Sequence, residues 1–62
     1  MSGKFEIFED KGGEFRWHLR AGNGEIIASS QGYKSRAAAE KGIDSVKANA
    51  AGATLVDSTK SD

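Results

Sequence analysis

Cysteine is absent from the 62 residues, and histidine occurs once, at position 18. The first absence removes disulfide staples and thiolate metal sites, and the second leaves His18 without the companions a zinc site needs. No apolar run approaches the roughly 18 residues of a membrane span. The opening residues MSGKFEIFED also lack the apolar region of a secretory signal, so a cytoplasmic chain with no membrane partner is the expectation. Charge of one sign is missing too, since nine basic residues balance nine acidic ones. No global field then draws nucleic acid or an anionic membrane, which argues against both as partners.

Large apolar residues are scarce as well. Thirteen aromatic and branched aliphatic residues, helped by nine alanines, must supply the core. A chain this short buries only about 60% of its unfolded surface and is marginal unless something adds to it. With disulfides and metals excluded, oligomerisation is the addition that remains. No catalytic or cofactor-binding constellation appears, so no catalytic residue, cofactor or metal is expected.

What is present is a clear order of elements within a single domain, ordered over about residues 4–58 with a disordered tail at 59–62. Residues 4–9 read as a short strand in which Phe5 and Ile7 alternate with Lys4, Glu6 and Phe8. Asp10-Lys11-Gly12-Gly13 reads as a turn. Over residues 14–21, Phe15, Trp17, Leu19 and Ala21 share one strand face while Glu14, Arg16, His18 and Arg20 share the other. Gly22-Asn23-Gly24 predicts a second hairpin with a type I′ Asn-Gly turn, followed by a strand over 25–30.

Ser35 is a good helix N-cap, and Arg36-Ala37-Ala38-Ala39 has high helix propensity, which predicts a helix from Arg36 to about Ala50. Ala39, Ile43, Val46 and Ala50 form its one apolar stripe, with Lys41, Asp44 and Lys47 as exposed neighbours at three-residue spacing. Gly42, at the edge of that stripe, fits either a close backbone approach or a merely tolerated glycine. Tyr33 fits a packing residue at the loop entering the helix. Residues 54–58 read as a fourth strand, giving an α+β unit of order β-β-β-α-β.

Four strands at about 4.8 Å spacing make a sheet roughly 19 Å wide, whereas one helix is about 10 to 12 Å across. One helix therefore leaves Phe5, Phe15 and Trp17 partly wet, and a second copy joined edge to edge or by exchanged strands would cover them.

Asn23-Gly24-Glu25, Ile27-Ala28, Ser30, Gly32-Tyr33, Ser35 and the run AEKGIDSVK from Ala39 to Lys47 form an ordered set over nearly the whole chain. In these elements the chain resembles the YegP-like family of small, mostly bacterial proteins of unknown function. Lys41 departs from the pattern, where family members often carry Asn. The resemblance implies a β-β-β-α-β unit that pairs as tandem repeats or as two subunits in one continuous sheet, with the C-terminal strands exchanged. This one-unit chain would be the homodimer, with Asn49 and Gly52 in the hinge and Leu55 and Val56 in the exchanged strand. The family brings no activity and no catalytic residue.

The side chains that invite a functional reading are Arg16, His18 and Arg20. With Phe8 beside them they suit stacking a base and neutralising phosphates, which makes weak single-stranded nucleic-acid binding one reading. An enzyme acting on a phosphorylated small molecule, with His18 as base and Ser29 or Glu25 near it, is another. The plain reading is a solvated face whose cations pair across strands with Glu6 and Glu25. The leading expectation is a small homodimeric binding or interaction module without catalysis, whose ligand the sequence does not identify.

Overall fold

A computed structural model describes residues 3–59, so that of the expected tail at 59–62 all but Thr59 lies outside them. The elements are β1 (Lys4–Glu9), β2 (Phe15–Arg20), β3 (Ile26–Ser29) and α1 (Arg36–Ala50). The strands form an antiparallel sheet in the order β1-β2-β3. Phe5 stands opposite Leu19 and Ile7 opposite Trp17, so the alternation in the sequence becomes one apolar face.

Both hairpins turn by the same device. Gly13 N–H donates to Asp10 C=O at 3.0 Å and Asp10 N–H to Glu14 C=O at 2.8 Å. The second turn repeats this, with Gly24 N–H to Ala21 C=O at 2.9 Å and Ala21 N–H to Glu25 C=O at 2.7 Å. Gly13 and Gly24 have φ of 84° and 90°, and among the described residues no other residue type takes positive φ. A type I′ turn needs positive φ at both central residues, so the expectation for Asn23-Gly24 is corrected to a three-residue loop closed by a glycine bulge. An acidic or amide side chain braces each turn. Asp10 Oδ1 accepts from the backbone of Gly12 and Glu14, and Asn23 Oδ1 accepts from Glu25.

Beyond β3 the chain keeps hold of β2 without a regular ladder. Ser30 N–H donates to Trp17 C=O at 2.9 Å while the Ser30 hydroxyl accepts from Trp17 N–H, also at 2.9 Å. Tyr33 then exchanges two backbone bonds with Phe15. These bonds carry the chain to the far end of β2, where the helix starts. The Ser35 hydroxyl caps it by accepting from Ala38 N–H at 3.1 Å.

Trp17, Ala39 and Ile43 are the buried core, with Phe5, Ile7, Phe15, Tyr33 and Val46 packed half-buried around them. Phe5 meets the Trp17 indole edge-on, the ring centroids 5.3 Å apart. Gly42 makes the close approach its place on the stripe suggested. A Cβ there would stand 2.9 Å from Tyr33 Cζ, nearer still to the hydroxyl, and 3.3 Å from Trp17 Nε1. The indole N–H, packed against the helix at this point, has no hydrogen-bond partner.

Three expectations change. Trp17, expected wet, is only 6% exposed, because α1 lies over β1 and β2 and does not reach β3. Ala50, expected on the buried stripe, is exposed, since of the four stripe residues Ala39, Ile43 and Val46 meet the sheet and Ala50 lies beyond it. Residues 54–58 form no strand within the chain, because no neighbouring strand lies beside them to complete a ladder. The helix ends on Ala51 in right-handed helical conformation rather than on a left-handed glycine. No helix among the described residues is long and apolar enough to cross a membrane.

Candidate functional site

The period-two alternation of β2 sends Arg16, His18 and Arg20 to the sheet face opposite the helix. Register sets Phe8 across from Arg16, Glu6 across from His18 and Lys4 across from Arg20. The three sequence-selected side chains therefore do share one surface, with the Phe8 ring 5.1 Å from the His18 ring.

Their cationic groups are already engaged. Arg16 Nε donates to Asp10 Oδ2 at 2.6 Å, and Arg16 Nη1 reaches Ser30 C=O at 3.4 Å. Arg20 Nε donates to Glu6 Oε1 at 2.8 Å, and Arg20 Nη1 donates to Gly24 C=O at 2.7 Å. His18 Nε2 shares that Glu6 oxygen at 2.6 Å, while Lys4 Nζ lies 3.7 Å from Glu6 Oε2. Glu6 is the hub, and Arg20 followed by His18 lowers its pKa to about 2. Asp10 is lowered as well, first by Arg16 and then by the amides of Glu14 and Gly12.

The acidic partners are thus Glu6 and Asp10, and Glu25, expected in that role, is not one of them. Asp10 read in the sequence only as a turn residue. Its place one residue past β1 turns its carboxylate toward Arg16, a relation that only the hairpin register supplies. For acid-base chemistry, His18 Nε2 is held by the Glu6 carboxylate, and Ser29, opposite in register, makes no hydrogen bond to the ring. Among the described residues there is no pocket and no group of three or more acidic or histidine side chains placed to hold a metal.

The other candidates lie at the end of the chain. Asn49 Nδ2 donates back to Ser45 C=O at 2.8 Å, so this residue of the expected hinge is part of the helix. A Cβ on Gly52 would meet nothing within 4 Å. Leu55 and Val56 are 90% and 78% exposed, the largest values among the large hydrophobic residues described.

Comparison with known proteins places this geometry. A family model described as a domain of unknown function, DUF1508, matches residues 10–57. A UPF0339 protein of Agrobacterium fabrum is 55% identical over 56 residues, 90% of each chain. The UPF0339 protein YegP of Escherichia coli is 51% identical over 49 residues, which are 79% of this chain but 44% of that one. A solution structure of a Haloferax volcanii protein superposes with a TM-score of 0.84 at 40% identity, covering 92% of this chain and 97% of the other. From the first hairpin turn through the helix to Asp57, the chain belongs to the DUF1508 (UPF0339, YegP-like) family, whose function is not known.

Proposed function

We propose that the protein is a homodimeric interaction module without catalytic activity, in which the C-terminal segment of each copy completes the sheet of the other. The observation that carries this is the state of residues 54–58. They hold two large apolar side chains almost wholly in water and make no strand, while β3 stands uncovered by the helix. Exposed apolar surface of this kind is costly in a folded chain and marks an interaction site.

Family proportions support the same reading. Some relatives have about this chain's own length, and in YegP the matched unit leaves more than half of the polypeptide for a second one. A unit that works in pairs fits both arrangements. The outer face supports a solvated ionic surface better than a phosphate site, since both arginines are spent on carboxylates. The reading keeps the module in the cytoplasm and assigns it no cofactor.

Light scattering across a dilution series tests it. The expected result is twice the chain mass at micromolar concentration and a thermal midpoint that falls on dilution. A monomer of unchanged stability over the same range overturns the proposal.

A further inference from the structure

β3 is the strand with the least to hold it. The helix packs over β1 and β2 and does not reach it, and every residue in it is exposed. Its ladder with β2 is also interrupted, since the register shifts between Leu19 and Arg20. Main-chain bonds fasten its two ends, from Ala21 N–H to Glu25 C=O at one and from Ser30 N–H to Trp17 C=O at the other.

At each end an arginine of β2 adds a second tie. Arg20 Nη1 donates to Gly24 C=O at 2.7 Å, just before β3, and Arg16 Nη1 reaches Ser30 C=O at 3.4 Å, just after it. The Nε of each guanidinium is fixed on the β1 side of the sheet. Glu6 of β1 holds Arg20 Nε at 2.8 Å, and Asp10, the first residue past β1, holds Arg16 Nε at 2.6 Å. Each guanidinium thus runs from a carboxylate beside β1 to one end of β3. His18, between the two arginines, bonds the same Glu6 oxygen and steadies that anchor.

We propose that Arg16 and Arg20 form a two-ended clamp on β3, with Asp10 and Glu6 as the positioning residues that aim it. A guanidinium suits this task because its donors lie in a rigid planar fork, so fixing Nε on a carboxylate fixes where Nη1 points. An ammonium has one nitrogen, which can pair with the carboxylate but passes no direction on to a second acceptor. The clamp makes the sheet uneven. β1 and β2 are held by the core, whereas β3 is fastened by half-exposed side chains, so it opens locally while the core stays closed.

Amide hydrogen exchange followed by NMR tests this in the full-length chain, at one concentration throughout. Ala21 and Ser30 amides report on the two ends of β3, and the Ile43 amide of α1 is the core reference. Arg20→Lys is expected to speed exchange at Ala21 by at least about threefold, and Arg16→Lys to do the same at Ser30, each leaving the other end and Ile43 within about twofold. Glu6→Gln is expected to loosen the Ala21 end and Asp10→Asn the Ser30 end, although both arginines remain in place. Unchanged protection with lysine is what a face kept for its charge alone would give, and it overturns the clamp. Exchange that rises at Ile43 in step with the β3 amides overturns it as well, because these side chains would then support the whole domain rather than one strand.

Discussion

The half of the molecule under the helix and the half beyond it are built from the same sheet, yet they solve the problem of apolar surface differently. Beneath α1, Trp17, Ala39 and Ile43 are buried and a ring of half-buried residues closes around them. Beyond it, every residue of β3 is exposed and the C-terminal segment lies open. The first half finishes its packing within the chain. The second presents apolar groups that only another surface can cover, and one helix cannot serve both because its width matches about two strands.

The sharpest way to break the covered half is Trp17→Ala. Removing the largest buried side chain costs about 3 to 5 kcal/mol, enough to unfold a marginal domain. Chemical denaturation followed by far-ultraviolet circular dichroism measures it, and a loss below 1 kcal/mol would show that the core does not carry the fold. Next in size is Gly42→Ala. Helix propensity alone favours alanine by about 1 kcal/mol, but the new methyl collides with a Tyr33 ring held by the core, and overpacking costs about 1 to 3 kcal/mol. Net destabilisation is expected, and removing the hydroxyl with Tyr33→Phe in the same chain should recover part of it. Stabilisation in the single variant would mean that Tyr33 moves freely.

The smallest effect concerns the outer face and leaves the core alone. Glu6 has a folded pKa depressed from 4.5 to about 2, so the stability it lends is present above the unfolded value and lost as pH falls through the interval between them. Thermal midpoints measured from pH 6 to pH 2 are expected to drop over this window. Glu6→Gln flattens that part of the curve, and an identical profile in the variant would sever the link between the hub carboxylate and folding.

Most of this architecture was legible in local pattern. Alternation in residues 4–9 and 14–21 placed β1 and β2, and the serine cap with its alanine run placed α1 from Arg36 to Ala50. Those signals are local, because they arise from the chain's own periodicity and capping. The turn type was not, since Asn-Gly favours type I′ only in a two-residue loop and the register here leaves three. The Asp10–Arg16 pair and the uncovered β3 were also out of reach, because each depends on how elements meet. Residues 54–58 have strand composition, but composition supplies no partner.

The shared turn device has a consequence for the order of assembly. Each strand pairs with its neighbour in the chain through a loop of three residues, so closing the sheet carries little loop entropy and hairpins of this kind form in about 1 to 10 μs. The Phe15–Tyr33 bridge is different, for it joins residues separated by β3 and its flanking loops and only then brings the helix onto Trp17. Indole fluorescence therefore times helix docking, a later event than the sheet on which the helix lands.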